Sequence, residues 1–324
     1  MTTYKELFGK AVKYLSTDPT DDIEGQIWYN STTGTFKTQE LVAAAWASGG
    51  NLNTSRGSNA QSGSQTEGLS AGGEIATGSS AATEEYNGST WSNSGSLSGN
   101  GRQGAGMVGS QTATVIFSGS VTGTGKVNTT EEYNGSAWSN VPGTMAVARY
   151  GTGYANNGTQ TAALGFGGYT APGFTSSSES YDGTTWTATS PLTSIVGNQG
   201  GAGTQTAAIS FAGLPGDKTQ TESWDGSSWT VVNSMNSGRQ TVGGFGLQTA
   251  ATGAGGNGPG TQVESWNGTT WSTDTPLATG RRVGGAFGST APIGAVAGGG
   301  TSPFYNSTEE FTGAFLSTKT LTTS

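Results

Sequence analysis

The nonapeptide EEYNGSTWS at 84–92 returns as EEYNGSAWS at 131–139. The same register continues as ESYDGTTW from 179, ESWDGSSW from 222, ESWNGTTW from 264 and a degenerate EEFTGAF from 309. The closing aromatic falls at Trp91, Trp138, Trp186, Trp229, Trp271 and Phe315, with Trp46 one period ahead, at spacings of 45, 47, 48, 43, 42 and 44 residues. Self-similarity at this period marks stacked supersecondary units, because one unit cannot bury its apolar face alone. Other residues recur in phase. Leu52, Leu97, Met145, Leu192, Met235 and Leu277 follow the aromatics, and Arg56, Arg102, Arg149, Arg239 and Arg281 come next, the fourth unit offering only Asn198 nearby. A Gln-Thr pair, a short apolar stretch such as ATVIFSG and a turn-rich return to Glu complete each unit. The units read as four short strands, and the chain as all-β.

The repeated stretch is a hairpin signal, because Asn-Gly or Asp-Gly supplies the positive φ angles that tight turns need. A two-residue loop at Asn87-Gly88 predicts Tyr86 opposite Ser89 and Glu84 opposite Trp91, with Glu84, Tyr86 and Trp91 sharing one face. Gly and Ala crowd the first strand of every unit, as suits innermost strands around an axis where larger side chains collide. Radial stacking also hides strand edges.

Composition narrows the function. With 57 Gly and 31% hydrophobic residues the chain approaches low complexity, yet nine Trp, ten Tyr and eleven Phe argue for a packed core. A net charge of −8 disfavours a nucleic-acid partner. The absence of Cys excludes a disulfide scaffold and a thiolate nucleophile. Neither a signal-peptide core nor an apolar run of membrane length occurs, so a soluble protein without a membrane partner is expected.

The units resemble those of kelch-type β-propellers: a strand ending in Gly-Gly, a strand with Tyr, a strand with Trp, then an apolar residue and Arg. The carrying residues are GFGGY (165–169), ESYDGTTW from 179 and TPLATGR (275–281), over roughly 39–316. Departures are Gly119-Ser120 and Ala212-Gly213 at the Gly pair, and Trp224, Trp266 and Phe311 in place of Tyr. The resemblance implies a six-bladed propeller. The LVAAAW strand ending at Trp46 and the strand at Phe315 both have the character of an outermost strand. Closure of the sixth blade by the Trp46 strand is the preferred reading, and a seventh, incomplete blade is the alternative.

Residues 1–38 differ in kind, holding four of the seven Lys. TYKE at 3–6 fits a capping box, and Tyr4, Leu7, Phe8, Ala11, Val12 and Leu15 form an apolar stripe at helical spacing, predicting a short attachment helix. EGQIWYNSTTGTFK predicts a hairpin after it, and 317–324 reads as a tail. GQIWYNSTTG (25–34) followed by Gly/Ser/Thr-rich repeats resembles the N-terminal segments of bacteriophage virion proteins, marine phages in particular. That resemblance implies a non-enzymatic tail-fibre, tail-tip or decoration protein located in the virion and present in multiple copies. Its N-terminal segment would hold other virion proteins, and its propeller would meet a host-surface glycan or protein. The second reading is a secreted, lectin-like or carbohydrate-active propeller.

Catalytic constellations are scarce. Copper-oxidase propellers need His ligands and a Cys-linked Tyr, and this chain has neither residue type; no cofactor is expected. SYDGTTW (180–186) is one residue short of the Asp box of sialidases, where that box is structural. Glu84, Glu131, Glu179, Glu222, Glu264 and Glu309 are spread around the ring by symmetry, whereas paired acid–base chemistry needs two close together. The five phased arginines either line the channel mouth and bind an anion, or pair with these glutamates. Loops YTAPGFTSSS and TSPFYNST place Tyr169, Phe174, Phe304 and Tyr305 on one face, where they are expected among the more exposed aromatics and form a candidate binding face. The alternative is that they plug gaps between blades.

Overall fold

The computed structural model describes residues 12–20, 23–99, 101–258, 260–282, 284–290, 293–300 and 303–321. They are all-β, and among them there is no helix. Two compact units emerge: residues 1–45 with 313–324, and residues 46–312.

In the larger unit the repeat becomes geometry. Among the described residues, six four-stranded sheets follow one plan, hereafter blades 1 to 6. Blade 1 runs Ala60–Ser64, Glu67–Ala71, Thr83–Tyr86 and Trp91–Ser94; blade 2 runs Gly106–Ser110, Ala113–Phe117, Thr130–Tyr133 and Trp138–Val141. Blades 3, 4 and 5 begin at Gly153–Tyr154, Gly200–Gly203 and Gly243–Leu247. Blade 6 takes Phe287–Thr290, Ile293–Ala297 and Thr308–Thr312 from one end of the chain and Ala45–Gly49 from the other. Each first strand lies beside the next blade's first strand, and the sixth lies beside the first, giving a closed, propeller-like ring. Trp46 packs on Phe311 at 4.9 Å between ring centroids, as Trp91 packs on Tyr86 at 4.9 Å, so the Trp46 strand is the fourth strand of blade 6.

Innermost strands approach too closely for side chains. A Cβ on Gly244 would stand 2.4 Å from the Gly201 carbonyl oxygen of the neighbouring blade. The apolar core lies between blades: Phe166 meets Trp229 of the next blade, and Phe211 meets Trp271, at 4.9 and 4.8 Å. The in-phase pair ending each second strand is Ser118–Gly119 in blade 2, one residue earlier than the sequence suggests. Its first position holds Ser118 or Ala212 at φ 59° and 64°, while the second, Gly119 and Gly213 at φ 108° and 106°, lies where glycine alone is comfortable. That second amide donates to the next blade: Gly73 to the Arg102 carbonyl, Gly119 to Arg149, Gly213 to Arg239, and Gly299 back to Arg56.

The repeated hairpin has a four-residue loop. Tyr86 pairs with Trp91 and Glu84 with Asn93, not with Trp91. The Asn87 Oδ1 accepts the amides of Ser89 and Thr90, an Asx turn that outcompetes the two-residue loop. The register moves by two, so side-chain parity is unchanged and Glu84, Tyr86 and Trp91 still share a face.

The smaller unit corrects three expectations. Its sheet orders Lys13–Leu15, Ile27–Asn30, Thr35–Val42 and Phe315–Thr320. Tyr4, Leu7, Phe8 and Ala11 lie outside the described residues, but Val12 precedes, and Leu15 ends, a strand parallel to Ile27–Asn30. The helix expected through Leu15 is therefore absent there; backbone pairing outweighs a stripe already interrupted by Gly9. The hairpin at 27–42 is present. The boundary expected at 38 falls inside Thr35–Val42. Phe315 belongs to this sheet rather than to a blade, and the tail continues its strand to Thr320, with Val42 opposite Phe315. Asp18 organises the unit: its carboxylate accepts from Trp28, Asn30 and Lys37 at 3.0, 2.7 and 2.8 Å, which lowers its pKa to about 2.

Trp46→Ala is expected to loosen the latch of blade 6. Amides of Thr308–Thr312 then exchange with deuterium well before those of Thr130–Tyr133; loss of protection in both strands at the same rate would show that the ring has no latch.

Candidate functional site

Each phased arginine is a post inside its own blade. Arg56, Arg149 and Arg281 reach Glu84, Glu179 and Glu309 at 2.8, 2.6 and 2.6 Å, Arg239 reaches Glu264 at 3.1 Å, and Arg102 bonds Glu131. All five arginines are at most 5% exposed. The same guanidinium groups donate to carbonyls of the second and third strands, Arg56 to Gly72 and Ala82, Arg281 to Gly298 and Ser307. The second carboxylate oxygen accepts a link amide in every blade, from Asn53, Ser98, Ala146, Thr193, Asn236 and Ala278. The channel-mouth reading of Arg56, Arg102, Arg149, Arg239 and Arg281 is thereby overturned: each guanidinium is buried and its charge is already matched by a glutamate of its own blade. Burial pulls each arginine's pKa down, and the facing Glu opposes the shift.

In blade 4 the arginine position is Val196, and Gln220 donates to Glu222 at 2.9 Å instead. Lys218 stands 3.0 Å from Ser194 Oγ, a Ser–Lys approach the sequence does not reveal. Its ammonium also donates to the Ile195 carbonyl at 2.8 Å, so it fastens the link as arginine does elsewhere.

Sequence variation at the tyrosine position has a neighbour as its cause. Tyr86 donates to Glu310 at 2.5 Å, Tyr133 to Glu85, and Tyr181 to Glu132 at 2.9 Å, each to the blade before. Where the preceding blade carries Ser180, Ser223 or Ser265 at that position, the residue is Trp224, Trp266 or Phe311. The two tryptophans donate to Gln205 and Gln248 carbonyls at 2.9 Å instead. Burial, then the facing carboxylate, pushes Tyr86 and Tyr133 up to about 12 and raises Tyr181 as well.

The loop aromatics are half-buried, not exposed. Tyr169 packs between Tyr150 and Phe174 at 5.6 and 5.2 Å, Phe304 lies against Gly57, and Arg281 sits 5.5 Å from the Tyr305 ring centre. Tyr169, Phe174, Phe304 and Tyr305 are thus more exposed than most rings of the blades, as expected, but they pack against loop neighbours, since paired rings bury more area than separate ones.

On the same side the axis opens into a funnel of about 450 Å³. Its wall carries Glu74, Gln103, Tyr150, Gln240 and Arg282, and its neck carries Ser58, Asn198 and Thr241. The neck is a backbone chain: Gly104 donates to the Ser58 carbonyl, Gly151 to Gly104, Asn198 to Gly151 and Thr241 to Asn198, at 2.7–2.9 Å. Beneath it Tyr154 fills the axis, leaving a cavity of about 40 Å³. Blade 3 supplies this plug from its first strand, at the position of Gln61 and Met107 in blades 1 and 2, and the loop that follows carries an insertion, its Arg149-to-Gln160 interval being eleven residues where Arg56-to-Gln65 is nine. Asn156 and Asn157 of that insertion each donate at 2.9 Å to blade 5, at Gly244 and Gly246. Among the described residues, no three carboxylates are grouped to hold a metal ion.

No protein-family model matches the chain, and no curated protein does. Backbone similarity is widespread, with 339 solved chains matching. One of them, described as "Structure of YjhT", is 13% identical, covers 82% of this chain and 99% of its own, and has a TM-score of 0.66. Likeness at that identity defines an all-β, propeller-like fold.

Two outcomes follow from the blade geometry. Arg149→Met strands a buried Glu179 and is expected to cost about 3–5 kcal/mol in urea unfolding, whereas Arg149→Met with Glu179→Met costs less; an equal loss would deny the pairing. Because the folded-state pKa of Tyr86 and Tyr133 is raised, their contribution is full below pH 10 and is lost as pH rises through about 12. Tyr86→Phe with Tyr133→Phe should flatten the stability–pH curve over that interval.

Proposed function

We propose that this chain is a non-enzymatic bacteriophage virion protein: a six-bladed, kelch-type propeller that contacts a host surface or a neighbouring subunit, and whose N-terminal sheet attaches it to other virion proteins. One observation carries the non-enzymatic reading. The repeated ionisable side chains are spent on the fold, each phased Arg and each phased Glu in a buried contact within its blade. The six-fold plan is supported by the repeat period and by cyclic contact of the innermost strands. The virion assignment rests on the GQIWYNSTTG layout.

Attachment is supported by a row of rings on one sheet face of the smaller unit. Tyr14, Tyr29 and Phe36 are direct cross-strand neighbours, with ring centroids 5.2 and 5.1 Å apart. Tyr14 is 75% and Phe36 48% exposed, unlike the paired aromatics of the loops. The proposed attachment surface is therefore this sheet instead of a helix. The second reading, a lectin-like propeller outside a virion, draws on the polar funnel.

Mass spectrometry and electron microscopy of purified particles provide the test. The chain is expected in the particle, and Tyr14→Ser with Phe36→Ser is expected to abolish its incorporation while leaving the melting temperature of the purified protein unchanged. Absence from particles, or turnover in sialidase or sugar-oxidase assays, would overturn the proposal.

A further inference from the structure

The funnel gathers polar side chains from several blades at one place. Among the described residues, the side chains of Glu74, Gln103, Tyr150, Asn198, Thr241 and Arg282 make no hydrogen bond or ion pair within the chain, although all face one recess. Polar groups without an internal partner that converge on one recess are groups available to a ligand.

The neck adds a second, independent observation. Ser58, Asn198 and Thr241 have φ of 49°, 54° and 58°, while the equivalent residues of blades 2 and 3 are Gly104 and Gly151 at 59° and 62°. Glycine adopts this conformation without strain, and a β-branched residue there is an outlier. Asn is tolerated in this region, so the strain is greatest at Thr241, which keeps a β-branched hydroxyl where blades 2 and 3 have glycine. Strain retained at the rim of a recess points to use of the side chain, not to a requirement of packing.

We infer that the funnel binds a single neutral sugar unit, the terminal residue of a surface glycan. The wall offers hydroxyls, amides, one carboxylate and one guanidinium, a mixture of donors and acceptors that matches ring hydroxyls, each of which does both. Glu74 accepts from a pair of neighbouring hydroxyls, Arg282 donates, and the formal charges of these two cancel, which disfavours an anionic ligand. Tyr150 is the one aromatic ring on the wall and gives the sugar's C–H face an apolar contact. A peptide partner would need an apolar anchor pocket, and the lining has none. The inference deepens the contact role proposed above but depends on recognition alone, not on residence in a virion.

The full-length chain is screened on a glycan array, and hits are measured by calorimetry with methyl glycosides of the terminal unit. Neutral glycans are expected to bind. Glu74→Gln and Arg282→Ala should each weaken binding about 10- to 100-fold with unchanged melting temperature, since neither side chain serves the fold. Thr241→Gly should weaken binding while leaving the melting temperature equal or higher; a purely structural threonine would lower it without touching affinity. No binding, binding confined to sialylated or sulfated glycans, or affinity indifferent to these substitutions would overturn the inference. A chain that assembles into particles yet binds no glycan removes this inference alone, and a chain that binds glycans but is absent from particles removes only the virion assignment.

Discussion

A ring whose inner strands are glycine has little apolar surface to bury at its axis, so its blades must be tied by directed bonds. The buried arginine supplies them from one side chain and one carbonyl. Its guanidinium joins the link to the second and third strands of its own blade, as Arg56 joins Gly72, Ala82 and Glu84, and its carbonyl accepts the glycine amide of the blade before, as Arg56 accepts Gly299. A buried ion pair adds little net stability when compared with apolar packing, but leaving one partner alone is costly. Such pairs act as register pins. Blade 4 shows how far the device bends: Val196 keeps the backbone bond to Gly168, while Gln220 and Lys218 take over the polar part.

Between blades a second set of bonds travels around the wheel. Gln65, Gln111, Gln160, Gln205 and Gln248 each donate to backbone carbonyls of the preceding blade, Gln65 closing the circle onto Gly294 and Phe311 of blade 6. Trp indoles do likewise, Trp138 to Thr83 and Trp91 to Thr308 at 2.9 Å. Where blade 5 has Val263 in place of a hydroxyl, Trp46 turns to the Thr275 carbonyl. Repeats of one sequence are thus held by heterologous contacts that close by rotation, and only the chain ends break the symmetry. Using the N-terminal strand as the last strand of blade 6 removes the free edge that a simple six-fold repeat would leave.

Function then has to live in departures from the repeat, because symmetric residues are consumed by symmetry. Tyr154 of blade 3 fills the axis, and the longer loop after it ties blade 3 to blade 5. Residues such as Glu74, Tyr150 and Arg282 face the recess above it at positions whose side chains differ from blade to blade.

The period, the four-strand unit and the face shared by Glu84, Tyr86 and Trp91 are legible in the amino-acid sequence, because alternation and turn chemistry are local and recur in each unit; which of the Trp46 and Phe315 strands completes the last unit was decided by strand pairing in the structure. The covariation of Glu85 with Tyr133 and of Ser180 with Trp224 was also present in the letters, once blades are set side by side. Tertiary structure alone decided the rest. A phased Arg and Glu are compatible with a charged rim or with a buried pair, and only the path of the link, which brings Arg149 to Glu179, selects between them. Helical spacing before Leu15 could not reveal that a neighbouring strand offered Lys13–Leu15 hydrogen bonds. The funnel belongs to the same class: its residues are far apart in sequence, and their convergence on one recess exists only in three dimensions.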